Sequence, residues 1–254
     1  MSRRATRARQ GRFLVEGPQA VREAVRHRPD LVRDLYVTDA AADRYAAELA
    51  DAHAAGLPVH RVTDAVLAAM ADAQTPQGLL AVCAAPGTTL DAVLSARPTL
   101  VCVLAHVRDP GNAGTVLRVA DAVGADAVVV TDGSVDVLAP KVVRSTAGSL
   151  FHLPVVTGVP LPEAVDALRG AGLRVLAADG AGDSTLDEVD LHAPHAWVFG
   201  NEAWGLDPAD RDRCDEVVRI PIRGRAESLN LAMAATLCLY AASTAQGVGP
   251  DGPA

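Results

Sequence analysis

The stretch "AWVFGNEAWGL", from Ala196 to Leu206, is a short apolar run that ends in an acidic turn containing glycine. Its first four residues are apolar without alternation, which is typical of a strand buried on both faces of a parallel sheet. Asn201, Glu202 and Gly205 follow where such a strand would end. Ligands of open α/β sheets bind beyond the carboxyl ends of the strands. The stretch therefore predicts a strand followed by a binding loop, provided that the rest of the chain has the same pattern.

Apolar, β-rich runs alternate with amphipathic helical patterns along almost all of the 254 residues. This alternation indicates a parallel sheet covered by helices on both faces, so the predicted fold class is α/β. Strands are predicted at 31–38, 58–62, 78–83, 99–107, 126–132, 153–158, 173–179, 196–201 and 217–222. Helices are predicted at 18–27, 41–55, 63–73, 113–124, 140–151, 162–171 and 228–244.

Glycine and proline residues divide the chain into regions. Pro86, Gly87 and Pro98 interrupt the structured pattern, as is typical of a linker. We predict an N-terminal domain (1–84), a linker (85–98), a larger second domain (99–246) and a disordered tail rich in glycine and proline (247–254).

The composition predicts a cytoplasmic protein without a membrane segment. No apolar run approaches the roughly 18 residues of a membrane span, and the basic N-terminus has no apolar stretch behind it, as a secretory signal would. The four cysteines are isolated in or beside apolar segments, with no spacing typical of a zinc or redox motif. We therefore expect buried free thiols in a reducing compartment at positions Cys83, Cys102, Cys214 and Cys238.

The charge is distributed very unevenly along the chain. The net charge is −8, yet residues 1–33 carry nine arginines and only three acidic residues. This asymmetry indicates a basic arm on an acidic body, which either contacts phosphates or is a solvated tail. The candidate RNA-binding residues of this arm are Arg3, Arg4, Arg7, Arg9 and Arg12.

A second unusual loop follows the strand predicted at 99–107. In "HVRDPGNAGTVLRVADAVGAD" (106–126), Asn112 is placed to cap a helix, and Arg118 lies off the apolar stripe of that helix. Because helical side chains lean towards the N-terminus, Arg118 could reach back to the loop. The loop also has some likeness to a dinucleotide-binding turn, but Gly111 and Gly114 lack the three-glycine spacing of that fingerprint.

The third loop lies in "RIPIRGRAESLNLAMAATLCLY" (219–240), where Ser228 and Asn230 precede a long apolar helix. Locally, Ser228 is a plausible N-cap residue. A serine hydrolase is excluded, because Ser228 is not in a G-x-S-x-G elbow.

Together the three loops resemble motifs 1, 2 and 3 of the SpoU (TrmH) branch of the SPOUT RNA methyltransferases. The motif residues are Asn112 with Arg118, "GNE" with Gly205, and "SLN" at 228–230, and the resemblance covers about 99–245. The N-terminal segments "RFLVEGPQAVREAV" and "TPQGLLAVC" resemble the small α/β RNA-substrate-binding domain that often precedes this catalytic domain.

The resemblance implies an enzyme that transfers a methyl group from S-adenosylmethionine to a ribose 2′-hydroxyl of RNA. It also implies a C-terminal trefoil knot, a homodimer with the active site near the subunit interface, and no metal. The N-terminal domain favours ribosomal RNA over tRNA as substrate. The alternatives are a tRNA methyltransferase, an inactive RNA-binding scaffold of the same fold, and a small-molecule nucleotide enzyme; the last leaves the basic N-terminus unexplained.

The resemblance also implies roles for individual residues. Arg118 would engage the attacking hydroxyl, and because a guanidinium stays protonated in proteins, we expect a clamp on phosphate and developing alkoxide rather than a base. The candidate catalytic residues are Asn112, Arg118, Glu202, Ser228 and Asn230. The candidate cofactor-binding residues are Gly200, Asn201, Gly205, Ile220 and Leu229.

Overall fold

A computed structural model of the chain describes residues 4–247 and confirms the predicted α/β fold. The first elements are α1 (Arg4–Gln10), β1 (Arg12–Glu16), α2 (Pro18–His27), β2 (Val32–Thr38), α3 (Asp39–Ala42), α4 (Ala46–Ala54), β3 (Val59–Val62), α5 (Asp64–Met70) and β4 (Leu79–Ala84). They are followed by α6 (Leu90–Ser95), β5 (Leu100–Leu104), α7 (Pro110–Ala122), β6 (Ala127–Thr131), α8 (Pro140–Ser145), a 3-10 helix (Ser149–Phe151), β7 (Val155–Val159) and α9 (Leu161–Gly170). The last elements are β8 (Arg174–Ala178), β9 (Ser184–Thr185), β10 (His195–Phe199), α10 (Pro208–Arg211), β11 (Glu216–Arg219) and α11 (Leu231–Ala245).

The chain forms two compact units. The first unit contains residues 1–87 and 136–152, and the second contains 88–135 and 153–254. The sheet of the first unit has the strand order β1-β4-β2-β3, in which β4 is antiparallel to both of its neighbours and β2 is parallel to β3.

Residues 136–152 pack within the first unit, although the predicted domain 99–246 includes them. In this segment Val142 and Val143 of α8 are buried, and the ring of Phe151 stacks on Phe13 of β1 at 6.3 Å between centroids. Strand β1 is short and apolar on the inside, so the segment supplies apolar surface that covers it.

The sheet of the second unit is parallel throughout, with the strand order β7-β6-β5-β10-β8-β11-β9. All residues of β5, β6 and β10 are buried, as their mostly apolar sequences predict. From β5 the chain first builds outward to β6 and β7 and then returns, so that β10 lies on the other side of β5. The strand order therefore reverses at β5 and β10, and the loops that follow these two strands begin side by side.

Several elements differ from those predicted. Strand β1 is absent from the predicted strands, and the predicted linker contains helix α6. The helix predicted at 41–55 is divided into α3 and α4. The helix predicted at 140–151 ends early because Ala147 and Gly148 have left-handed backbone conformations, with φ of 51° and 107°.

The two ends of the chain also bear on the predictions. Part of the basic N-terminal arm forms helix α1, although the sequence also allowed a solvated tail there. Most of the tail predicted at 247–254 lies outside the described residues. Among residues 4–247, no helix is long and apolar enough to cross a membrane.

Candidate active site

The loop between β5 and α7 is arranged by a cap that differs from the predicted one. Helix α7 begins at Pro110, and its N-cap is Asp109, whose Oδ1 accepts a hydrogen bond of 2.8 Å from the backbone N–H of Asn112. The prediction that Asn112 caps this helix is therefore wrong, because Asn112 is already inside its first turn. Its amide is left to make contacts beyond its own helix.

Glu202, in the loop after β10, holds the loop after β5 in place. Its carboxylate accepts hydrogen bonds from the backbone N–H groups of Arg108 and Asp109 at 3.1 and 3.0 Å. The Nδ2 of Asn112 also donates to this carboxylate, at 3.4 Å. Three donors from one loop thus converge on one carboxylate from the neighbouring loop.

Asn230 connects the third loop to the same group. It is the N-cap of α11, where its Oδ1 accepts from the N–H of Ala232 at 2.9 Å, and its Nδ2 donates to Oδ1 of Asn112 at 3.1 Å. We call Asn112, Glu202 and Asn230 the loop cluster. Ser228, which could have been the cap, is exposed and makes no hydrogen bond within residues 4–247.

Gly200 and Gly205 shape the loop after β10 by bringing its backbone close to itself. The backbones of Asn201 and Gly205 exchange two hydrogen bonds of 2.8 and 2.9 Å, and Gly205 has a φ of +69°. A Cβ on Gly200 would lie 2.3 Å from the carbonyl carbon of Gly205. The absent side chain at Gly200 therefore makes room for the loop itself.

Asn201 ties this loop to the end of β5. Its side chain is 6% exposed, and its Nδ2 donates to the carbonyl oxygen of His106 at 2.8 Å. Its Oδ1 accepts from the N–H of Ala203 at 2.8 Å. Asn201 is thus a buried, hydrogen-bonded part of the loop, and His106 at the strand end has a left-handed φ of 55°.

A cavity of about 260 Å³ adjoins these loops and is lined by all five predicted cofactor-binding residues, Gly200, Asn201, Gly205, Ile220 and Leu229. Its other walls include apolar Val218 and Ile222 and acidic Asp179 and Glu227. It therefore offers an apolar wall for a flat ring next to carboxylate and backbone groups that suit a cationic, polar ligand.

Arg118 is not brought together with the other predicted catalytic residues. It is exposed on α7 and makes no hydrogen bond or ion pair with any other residue that the structure describes. The expectation that it reaches back to its own loop is not met within a single chain. Its guanidinium remains available to a phosphate or to a second copy of the chain.

The two tryptophans have opposite environments. Trp197 in β10 is fully buried and stacks on Phe199 at 6.3 Å, which confirms that it belongs to the core. Trp204 is 51% exposed, and the guanidinium of Arg108 lies 5.3 Å from the centre of its ring. The side chains of Arg108 and Trp204 line an open recess, and the loop cluster lines it too.

The sequence pattern missed three residues of this region: Asp109, Arg108 and Asp179. Asp179 accepts hydrogen bonds from Arg211 Nη1 at 3.0 Å and from the N–H of Leu206 at 3.4 Å, and so it holds the far end of the loop after β10. Its position as the last residue of the strand predicted at 173–179 is a signal that could have revealed it. Arg108 carries no such signal, because only the packing brings it over Trp204.

The predicted RNA-binding arginines divide into two kinds. Arg4, Arg9 and Arg12 are exposed, whereas Arg7 is 5% exposed and donates to Oδ2 of Asp136 at 2.6 Å from Nη2 and 3.0 Å from Nε. Arg7 is therefore part of the interior of the first unit, which corrects its assignment to an RNA-facing surface. Arg3 lies outside the described residues.

The cysteines are free, as predicted; Cys83, Cys102 and Cys238 are buried, whereas Cys214 is only half-buried, which corrects the prediction for that position. Burial raises the pKa of Cys83 and Cys238 to about 12 and also raises that of Cys102. Burial raises the pKa of Cys214 to about 12 as well. None of these thiols is a thiolate near neutral pH, so cysteine nucleophiles are excluded from the chemistry.

Comparisons with known proteins agree with this arrangement. Residues 99–240 match the model of the SpoU rRNA Methylase family, and residues 14–89 match the model described as RNA 2′-O ribose methyltransferase substrate binding. The chain is 35% identical over 234 residues, or 92% of its length and 89% of the relative's, to the 23S rRNA (guanosine(2553)-2′-O)-methyltransferase RlmP of Bacillus subtilis.

A named relative and a solved structure both come from Streptomyces viridochromogenes. One is named 23S rRNA (uridine(2479)-2′-O)-methyltransferase and is 35% identical over 248 residues, which cover 95% of this chain and 86% of the relative. The other is a crystal structure of the SpoU methyltransferase AviRb in complex with the cofactor AdoMet. It matches with a TM-score of 0.82 and 34% identity, over 97% of this chain and 95% of that chain.

Proposed function

Because this chain belongs to the SpoU rRNA methylase family, we propose that it methylates a ribose 2′-hydroxyl of structured RNA, and that the RNA is ribosomal. The observation that carries the proposal is the loop cluster, in which Asn112, Glu202 and Asn230 join three strand-end loops beside one cavity. Two relatives are named for 23S rRNA, and a substrate-binding model matches residues 14–89. The names of those relatives specify different nucleotides, so neither target is transferred to this chain.

The cofactor is S-adenosylmethionine, and the cavity fits it. The side chains of Ile220 and Leu229 form an apolar wall suited to adenine, and Gly200 and Gly205 line the cavity with backbone instead of side chains. When bound, the cofactor supplies an already activated methyl group. The remaining work of the protein is to position the hydroxyl and to stabilise charge.

The proposed catalytic roles follow from the contacts. Asn112 orients the ribose, and Glu202 and Asn230 hold Asn112 and its loop in place. Ser228, which is exposed beside the cavity, contacts the substrate. Arg118 binds the phosphate next to the target ribose and stabilises the developing alkoxide, because a guanidinium offers a fixed fork of donors and keeps its charge.

The active form that we propose is a homodimer in which a second copy covers α11. Met233, Leu237 and Tyr240 are 62%, 46% and 66% exposed, and their spacing places them in one apolar stripe along this helix. Helix α7, which carries Arg118, packs beside α11, so the second copy would lie near this arginine. Replacing Met233 and Tyr240 by glutamate should convert dimers to monomers in analytical ultracentrifugation, and a dimer that persists would contradict this assignment.

The remaining parts of the proposal concern the chain as a whole. The first unit binds the RNA substrate, with Arg4, Arg9 and Arg12 facing the phosphates. The domain limits that we propose are those expected from the sequence, except that 136–152 packs within the first unit. The C-terminal trefoil knot belongs to the proposal too. The proposed compartment is the cytoplasm, in line with the free thiols.

The test is to map ribose 2′-O-methylation in total RNA from cells with and without the gene. We expect one or a few sites in ribosomal RNA to lose methylation and to regain it when the purified protein and S-adenosylmethionine are added in vitro. Loss confined to tRNA would favour the tRNA methyltransferase instead. RNA binding without any change in methylation would indicate an inactive scaffold.

A further inference from the structure

The first unit contains a cluster of three potential metal ligands that the proposed reaction does not use. Glu23 and His27 lie one turn apart on the same face of α2, and His152 follows the 3-10 helix. The Nε2 atoms of both histidines lie 3.3 Å from Oε2 of Glu23, and one ligand atom from each residue lies within 4.8 Å of the others. This is the only such group of three within residues 4–247.

The two histidine–glutamate distances match those between neighbouring ligands of one tetrahedral ion. Zinc binds histidine nitrogen and carboxylate oxygen at about 2.0–2.2 Å, so neighbouring ligand atoms in a tetrahedral site are about 3.3–3.5 Å apart. Two imidazoles and one carboxylate are also a donor set of known zinc sites, in which water takes the fourth position. All three side chains have solvent-accessible surface, so an ion can enter from solution.

The carboxylate of Glu23 is held in position by its surroundings. Nε of Arg22 donates to Oε1 at 3.1 Å, which leaves Oε2 directed towards the histidines. Gly148, with a φ of +107°, leaves space for the stem of Glu23, because a Cβ there would lie 2.4 Å from Cγ of Glu23.

We propose that Glu23, His27 and His152 bind a zinc ion that joins α2 to the segment following the 3-10 helix within the first unit. The ion has a structural role and takes no part in methyl transfer. Binding requires both imidazoles to be neutral at Nε2, so it competes with the ion pairs that protonated histidines would make with Glu23. The positive charge of Arg22 next to the carboxylate limits the affinity, and we expect a dissociation constant in the micromolar range.

The test is calorimetric titration of ZnCl2 into the full-length protein after treatment with a chelator. We expect one ion per chain and a rise in the unfolding temperature when ZnCl2 is added. His152→Ala and His27→Ala should each weaken binding by at least the 10- to 100-fold that loss of an outer-shell partner alone costs. Binding of CoCl2 should give the intense visible absorption of a tetrahedral ion, which both variants should lose.

His60→Ala is the matched control. Nε2 of His60 lies 3.0 Å from Oδ1 of Asp34, so it forms a histidine–carboxylate pair without a second histidine. This variant should bind zinc as the unchanged protein does. His27 is half exposed, so its variant should fold even if His152→Ala does not. Absence of saturable binding at millimolar ZnCl2, or unchanged affinity in His27→Ala, would overturn the proposal.

Discussion

The loop cluster and the exposed arginines of this chain differ in whether their side chains have partners within the chain. Asn112, Glu202 and Asn230 come from three loops and are already hydrogen bonded to one another or to backbone N–H groups. Arg118 and Arg9 are exposed and have no partner within residues 4–247. The side chains of the loop cluster are thus held in position without a ligand, whereas those of the exposed arginines are not.

The difference follows from the partners that each kind of side chain can find within the chain. A carboxylate such as Glu202 can be satisfied by N–H groups, which every loop supplies. A guanidinium needs an anion when it is withdrawn from water, and Arg7, which is buried, has Asp136 for this purpose. We infer that the exposed arginines receive their anions from the RNA. Substitutions at four places test whether the loop cluster is complete within the chain and whether the exposed arginines bind RNA.

The largest effect is expected at Gly200, which lies in the same loop as Glu202 of the loop cluster. In Gly200→Val the new side chain would overlap the backbone of Gly205, so the loop must move and the cavity must change shape. Overpacking of this kind costs about 3 kcal/mol, so the affinity for S-adenosylmethionine in calorimetry should fall by about a hundredfold or more. Gly224→Val is the control, because a Cβ at Gly224 has no atom within 4 Å. Equal affinity of the two variants would remove this loop from the cofactor site.

The second-largest effect is expected at Arg118, which is one of the exposed arginines. Arg118→Lys keeps the charge but loses the planar fork, so single-turnover methylation should slow by about a hundredfold, and Arg118→Ala should be slower still. Cofactor affinity should stay unchanged, because Arg118 is not among the residues that line the cavity. Arg213→Ala, which removes another exposed arginine, should be nearly as active as the unchanged protein. Recovery of Arg118→Ala at high pH would instead identify Arg118 as the proton acceptor.

A smaller effect is expected from the arginines of α1 and β1. Each alanine substitution at Arg4, Arg9 or Arg12 should weaken RNA binding and reduce the slope of log affinity against log salt by about 0.7–0.9, because one phosphate contact is lost. Arg7→Ala should leave this slope unchanged and lower the unfolding temperature, because it leaves Asp136 without a buried partner. If all four variants have the same slope as the unchanged protein, the arm does not contact RNA.

The smallest effect is expected at Asn230, where two functions can be separated. Asn230→Ser keeps a good helix cap but is too short to donate to Asn112, so stability should be preserved while methylation slows about fivefold, as for one net hydrogen bond. Asn230→Ala loses both contacts and should also lose about 1 kcal/mol of stability in urea unfolding. If Asn230→Ser methylates RNA as fast as the unchanged protein, the contact between Asn230 and Asn112 is unimportant for the reaction.

The sequence predicted the second unit better than the first. Strand β5 is apolar at every position and β10 at every position after His195, and such runs have one stable environment, the middle of a parallel sheet. Strand β1 was missed because "RFLVE" is short and lies within a segment dominated by arginine. It becomes a strand through antiparallel pairing with β4, which is about 70 positions away in the sequence.

The sequence predicted which residues belong to the candidate site, but not which of them contact one another. Loops at strand ends indicated Asn112, Glu202 and Asn230, and the structure brings these three together. The caps were assigned wrongly, because several residues near a helix start can cap it and only the backbone path selects one. Arg118 shares the motif but not the cluster, since its position on α7 points it to solvent.

The sequence by itself determined the α/β class, the buried strands and the residue types at the three strand-end loops, because these depend on local pattern and hydrophobicity. Only the tertiary structure decided which donors meet the carboxylate of Glu202 and which arginine is buried against Asp136. It also decided that His27 and His152, 125 positions apart, face the same glutamate. Contacts of this kind depend on how distant segments pack, and the local pattern around each residue carries no record of its distant partner.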